Sequence, residues 1–192
     1  MIFLVFLIPG LAFAQPRWEP LQQKVIEADL TTDRGDQKKL AKEALTMAEQ
    51  CLAVKPNEIG CRYYRAQALG LSSKNLFGYT DRLRRMFADW EAVLKADPRF
   101  DYGGPYRMFA EVYMELPKHF GPKDLRQDLN KAVDYLKKAT EISDYPTNWL
   151  DLAEAYDKLG QKKEAQQALE KANRILPRWR DHPYYPTWAS RK

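Results

Sequence analysis

Thr147-Asn148-Trp149-Leu150-Asp151-Leu152-Ala153-Glu154-Ala155-Tyr156-Asp157-Lys158-Leu159-Gly160 decides the fold of this chain, together with the run that follows it. That run carries Ala165, Ala168, Leu169, Ala172, Ile175 and Leu176 before Pro177. Trp149, Leu152, Ala153 and Tyr156 recur at helical spacing, so they share one face of a short helix. Thr147 reads as its N-cap, Asp151 suits the early turns, and Lys158 with Gly160 marks its end. Pro177 stops the second helix. Two helices of about a dozen residues joined by a tight turn make a hairpin. The small residues Ala153, Ala165 and Ala172 let its helices approach closely. A hairpin of this size cannot bury its apolar face alone, so similar units should flank it.

The neighbouring segment repeats the pattern. Tyr106, Phe109, Ala110 and Tyr113 stand at the spacing of Trp149, Leu152, Ala153 and Tyr156, and Ala132, Leu136 and Ala139 answer Ala165, Leu169 and Ala172. Gly103-Gly104-Pro105 should open this third pair, and its second helix should carry residues from Leu125 to Ile142. Upstream, residues 17–32 and 36–54 read as helices, Pro56-Asn57 as a turn, and a helix through Cys61, Tyr64, Ala68 and Leu71 precedes a polar break and a partner helix ending at Asp97-Pro98. The order Trp149, Leu152, Ala153, Tyr156, Ala165, Leu169, Ala172, Pro177 resembles the tetratricopeptide repeat position for position. The resemblance implies an all-α, right-handed solenoid of about four antiparallel helix hairpins. A narrower resemblance covers roughly residues 100–177. The string from Gly103 to Tyr113, a Pro-rich loop, and the string from Asp128 to Ile142 are similar to the T component of tripartite (TRAP) transporters. Members of that group are periplasmic helical-repeat proteins that partner a solute-binding protein.

Three segments follow from this reading. Residues 1–14 form an apolar run ending in Ala12-Phe13-Ala14, which reads as a signal peptide too short to be retained as a spanning helix. Residues 15–177 form the repeat domain, and residues 178–192 an aromatic tail. The chain is therefore expected to be exported, to the periplasm or outside the cell, with no integral membrane segment after cleavage. No cysteine follows the cut, so a lipid anchor there is not expected. Export allows Cys51 and Cys61 to pair, since each stands five residues from Pro56. The alternative is two buried thiols packing as small apolar groups; the disulfide is the favoured reading. In the tail, Trp179, Tyr184, Tyr185 and Trp188 with Pro183 and Pro186 either fold back to cap the last hairpin or act as a ligand strand in another groove. Capping is favoured, because terminal repeats need a cover.

The chemistry is that of a binder. A net charge of +5 spread along 192 residues gives no nucleic-acid patch. The two histidines, His119 and His182, lack companion ligands for a metal. There is no glycine-rich phosphate loop and no nucleophile elbow, so neither a cofactor nor catalysis is expected. The partner is expected to be a protein or peptide. In tetratricopeptide proteins the first helix of each hairpin lines a concave groove. The resemblance then assigns partner contacts to Tyr63, Gln67, Arg107, Glu111, Met114, Leu150, Glu154 and Asp157. Arg107 and Glu154 are expected to lie off the packing stripe, with Arg107 offering forked recognition of a carboxylate. A different class of reading is a small apolar-ligand carrier, its enclosed cavity lined by Tyr63, Tyr64, Tyr79, Trp90 and Tyr106 unless these are hairpin core. The loop 116–122, longer than a standard repeat turn, is a further candidate contact surface.

Overall fold

The computed structural model describes residues 18–72, 78–119 and 121–191. The signal-peptide reading of residues 1–14 lies outside them, as do most of the polar break before Tyr79 and Phe120 of the 116–122 loop. Nine α-helices follow one another with no strand among the described residues: α1 (Glu19–Leu30), α2 (Arg34–Val54), α3 (Ile59–Ser72), α4 (Tyr79–Ala96), α5 (Phe100–Glu115), α6 (Leu129–Ile142), α7 (Pro146–Lys158), α8 (Lys162–Ile175) and α9 (Tyr185–Ser190). Single 3₁₀ turns occupy Lys123–Leu125 and Leu176–Trp179.

Helix ends differ from the sequence reading where side-chain capping decides them. Asp33 accepts from the backbone N–H of Gly35 and Asp36 at 2.8 and 2.9 Å, starting α2 at Arg34 rather than at Asp36. Asp128 does the same for Lys131 at 2.9 Å. Leu125 accordingly falls in a 3₁₀ turn, and α6 begins four positions later, at Leu129. Thr147 is not the cap of α7: Pro146 takes the first helical position, where its fixed φ and missing N–H cost nothing. Gly160, at φ 78°, turns the chain out of α7 into α8.

Helices α1/α2, α3/α4, α5/α6 and α7/α8 are four hairpins, and the second helix of each packs on the first helix of the next. The expected all-α repeat solenoid is what forms. Small residues at the contacts let the helices close up: Ala41, Ala44, Ala48, Ala66, Ala68, Ala110, Ala132, Ala139 and Ala155 are fully buried. Larger side chains fill the spaces between pairs. Phe109 of α5 packs edge-on against Phe87 and Trp90 of α4 and stacks on Tyr135 of α6, 5.2 Å away. Cys51 and Cys61 are joined by a disulfide that ties α2 to α3, with Cα atoms 6.3 Å apart. A forked ion pair from Arg65 to Asp89, at 2.8 and 2.6 Å, ties α3 to α4. Asp89 is buried, and this pairing is what makes its burial tolerable.

Among the described residues, the non-glycine positions with left-handed backbone lie in α5. Asp101, Tyr102 and Gly103 all take left-handed φ values, 48°, 60° and 82°, between Phe100 and the regular helix from Gly104 onward. For Asp and Tyr this conformation costs on the order of 1–3 kcal/mol each, so the surroundings must hold it. They do: Tyr63 donates to Asp101 Oδ2 at 2.7 Å, and Asn148 Nδ2 donates to the Tyr102 carbonyl at 2.9 Å. A Cβ at position 104 would run into the Tyr63 ring, so only glycine fits there.

Candidate functional site

The first helices of all four hairpins turn one face toward a common cavity of ≈ 600 Å³. Gln22, Ile26 and Asp29 come from α1, Tyr64, Gln67 and Leu71 from α3, Met108, Glu111 and Met114 from α5, and Thr147, Asp151 and Glu154 from α7. Met86 and Trp90 of α4 add to the floor. The remaining wall is the C-terminal segment, through His182, Tyr184, Thr187, Trp188 and Arg191.

That segment does not run off the end of the solenoid. After the 3₁₀ turn at Leu176–Trp179 it doubles back onto the inner face. Trp188 is buried against Tyr145, Leu150, Ala172 and Leu176. Its ring stacks on His182 at 4.7 Å and meets Tyr145 edge-on at 5.2 Å. Arg191 donates to Asp151 Oδ1 at 2.8 Å and to Glu154 Oε2 at 3.0 Å, both on α7. Tyr184 donates to Asp29 Oδ2 at 2.8 Å, on α1. The tail therefore spans the groove from the last hairpin to the first.

Carboxylates dominate the polar lining. Asp29, Asp101, Glu111, Glu115, Asp151 and Glu154 face Arg107 and Arg191, in a chain whose overall charge is +5. Arg107 is already matched by Asp101 at 2.7 Å. Glu111 lines the cavity with 40 % of its side chain exposed. Burial and the Asp151 carboxylate beside it push Glu111 well above the usual carboxylate range, and burial also raises Asp151. The second oxygen of Asp151, Oδ2, is buried with no donor beside it among the described residues. Trp90 Nε1, a buried donor, has no acceptor among the described residues.

Of the eight residues assigned to partner contact from the sequence, Gln67, Arg107, Glu111, Met114 and Glu154 line the cavity. Tyr63, Leu150 and Asp157 do not line it. Tyr63 is buried among Tyr64 and Phe100, with ring centroids 5.0 and 5.1 Å away. Leu150 lies under Trp188 in the tail's cluster. Asp157 is exposed and pairs with Lys162 at 2.5 Å. The expectation that Arg107 stands off the packing stripe fails: it is 4 % exposed and sits at the centre of a buried network. Besides Asp101, its guanidinium donates to Asn148 Oδ1 at 2.9 Å and lies 4.9 Å from the Tyr145 ring centroid. Arg107 thus joins α3, α5 and α7 and has no fork left for an incoming carboxylate. Glu154, by contrast, is exposed. Only Tyr64 and Trp90 of the five aromatics named for an enclosed apolar cavity line this one.

Sequence reasoning missed Asp29, Asp151, Tyr184, Trp188 and Arg191 as groove residues. Asp151 reads as an early-turn acid, which conceals its inward position. The tail's aromatic density was the available signal for the last three. In the 116–122 loop, His119 is exposed, and the loop's end is pinned where Gln127 Nε2 donates to the Met114 carbonyl at 2.8 Å. Among the described residues no group of three or more His, Cys, Asp and Glu side chains is placed to hold a metal ion. No helix among them is long and apolar enough to cross a membrane.

Residues 125–185 match the tetratricopeptide repeat family. The match covers α6, α7 and α8 and continues past Pro177 into the segment that turns onto the inner face. No curated protein matches the chain.

Proposed function

We propose that this chain is a non-catalytic, exported scaffold, periplasmic or secreted, that holds a segment of a partner protein in its inner groove. The observation that carries the reading is the groove itself: four first helices line one cavity that combines apolar side chains such as Met86, Trp90 and Met114 with a set of carboxylates. A tetratricopeptide match over residues 125–185 supports binding of protein rather than chemistry on a substrate. Such a lining suits a segment that is apolar in its middle and basic at its flanks, because desolvated carboxylates without a cation are costly. The likeness of residues 100–177 to the T component of tripartite transporters supports a solute-binding protein as the partner class.

A cavity of ≈ 600 Å³ also falls in the size range of small-ligand sites. That favours, as a second reading, a carrier for an apolar ligand. The ring of carboxylates weighs against it, since an apolar ligand would leave them desolvated and unpaired.

The test is capture of partners from the envelope of the source cell by the mature protein, followed by calorimetric titration of the captured partner at two salt concentrations. Glu154→Ala and Gln67→Ala are expected to weaken binding about tenfold each, the ~1.4 kcal/mol of one charge-assisted contact, with unchanged melting temperature. Affinity should fall with added salt. Variants that bind as tightly as wild type would remove the groove from consideration.

A further inference from the structure

We infer that the C-terminal helix is a resident copy of the partner's recognition element, and that the partner presents a short amphipathic helix with aromatic residues at i and i+4 and an arginine at i+7. The inference rests on the groove being the partner site. Tyr184, Trp188 and Arg191 have this spacing and share one face of α9 and its flanks. Each meets a different part of the groove: Tyr184 OH reaches Asp29 on α1, Trp188 fills the pocket of Tyr145, Leu150, Ala172 and Leu176, and Arg191 bridges Asp151 and Glu154 on α7.

Charge complementarity selects this chemistry. Arg191 satisfies only one oxygen of Asp151, while Oδ2 has no donor among the described residues and Glu111 stands beside it. The resident helix therefore leaves the acidic end incompletely neutralised. A partner arginine can offer five N–H donors in a planar fork, enough for both oxygens of Asp151 and for Glu154 together. The outer half of the resident contact, the pair with Glu154, is also weak. Arg191 and Glu154 keep 31 % and 43 % of their side chains exposed, where ion pairs contribute little. A helix of six residues does not persist without its docking contacts. Partner and tail compete for one surface, so the apparent affinity of the partner is reduced by the fraction of time the tail is docked.

A fluorescent peptide carrying residues 178–191 of this chain is the probe, titrated by anisotropy against the full-length protein. Wild type should bind it at least about tenfold more weakly than Arg191→Ala, whose own tail is loosened while the groove is unchanged. Adding Asp151→Asn to Arg191→Ala should remove the gain. On the same Arg191→Ala protein, a peptide with Arg191→Ala or Trp188→Ala should bind at least about tenfold more weakly than the native peptide, a comparison that does not depend on the stability of the protein variant. Equal binding of all peptides, or no binding to Arg191→Ala, would overturn the inference. A concentration-dependent dimer of Arg191→Ala that the peptide dissolves would also overturn it, by assigning the groove to the tail of a second copy. If these peptide arms fail while a captured partner still responds to Glu154→Ala, the scaffold reading stands and only the resident-copy inference falls.

Discussion

Arg107 carries the largest single-residue expectation. Its guanidinium is buried with Asp101, Asn148 and the Tyr145 ring, and its partners are buried with it. Arg107→Ala would leave the Asp101 carboxylate without its cation and Asn148 Oδ1 without its donor. Breaking a buried pair from one side costs about 3–5 kcal/mol, against at most about 0.5 kcal/mol for a solvated groove residue. Urea melts separate these cases, and a shift within the smaller range would return Arg107 to the surface. The sequence could not show this position. Helical spacing places Arg107 beside the apolar stripe, and what buries it is the left-handed turn at Asp101, Tyr102 and Gly103, which brings Asp101 under it. Propensity rules tolerate Asp in that conformation but give Tyr no reason to adopt it. Glu111 supports a second residue-level test. Its carboxyl is raised above its ordinary 4.5 by burial and by Asp151, with Asp29 adding to the rise and Arg107 opposing it. A carboxyl raised on folding binds its proton more tightly in the native state. The stability it contributes is therefore full below about pH 4.5 and lost as pH rises through the folded-state value. Glu111→Gln should flatten that fall as pH rises above about 4.5, checked by thermal melts across the range. A slope identical to wild type would mean that Glu111 titrates alike in the folded and unfolded states.

At the scale of elements, the hairpin read from residues 147–177 was the most legible part, because α7 and α8 satisfy two independent signals: helical spacing of small and large apolar residues, and a terminal Gly and Pro. The boundary of α6 was not legible, because Leu125 continues the apolar spacing while Asp128 supplies the cap that sets the start. Half of the candidate site followed the same division. Gln67, Glu111 and Glu154 follow from position on a first helix, whereas Asp151 and the tail contacts require knowing that the chain doubles back. The α2–α3 turn gives an element-level prediction. The disulfide closes a loop with a sequence separation of 10, for which unfolded-state entropy alone gives about 2–3 kcal/mol. Replacing both Cys51 and Cys61 by Ser should lower stability by about that amount, measured by denaturant unfolding. Thiol titration of the unreduced protein should find no reactive group at either position. Two reactive thiols, or a double variant as stable as the parent, would separate α2 from α3 in covalent terms.

On the scale of the whole molecule, the tail changes what kind of object the solenoid is. Stacked hairpins touch only their neighbours, so such arrays lose cooperativity from their ends. The bond from Tyr184 to Asp29 links residues 155 apart and couples the last hairpin to the first, across the open side of the array. Trp188 holds that bridge in place. By volume alone, Trp188→Ala in a tightly packed pocket would cost about 3–5 kcal/mol. That figure is an upper bound on what the variant can show globally, because the tail can detach as a unit and take the defect with it. A six-residue helix with two partly exposed ion pairs should detach for less than the full cavity cost. Trp188→Ala is therefore expected to abolish hydrogen-exchange protection in α9 while leaving α5 to α8 protected, and to lower the melting temperature by only a few degrees. With the bridge gone, α1 and α2 should open separately from the rest. Calorimetric enthalpy should then exceed the van't Hoff enthalpy in the variant, and equal it in the parent. If α9 loses no protection, the tail is a fixed wall of the cavity, held by contacts other than Trp188. If instead all helices lose protection together, tail and solenoid form one cooperative unit, and no partner could displace the tail without unfolding the protein.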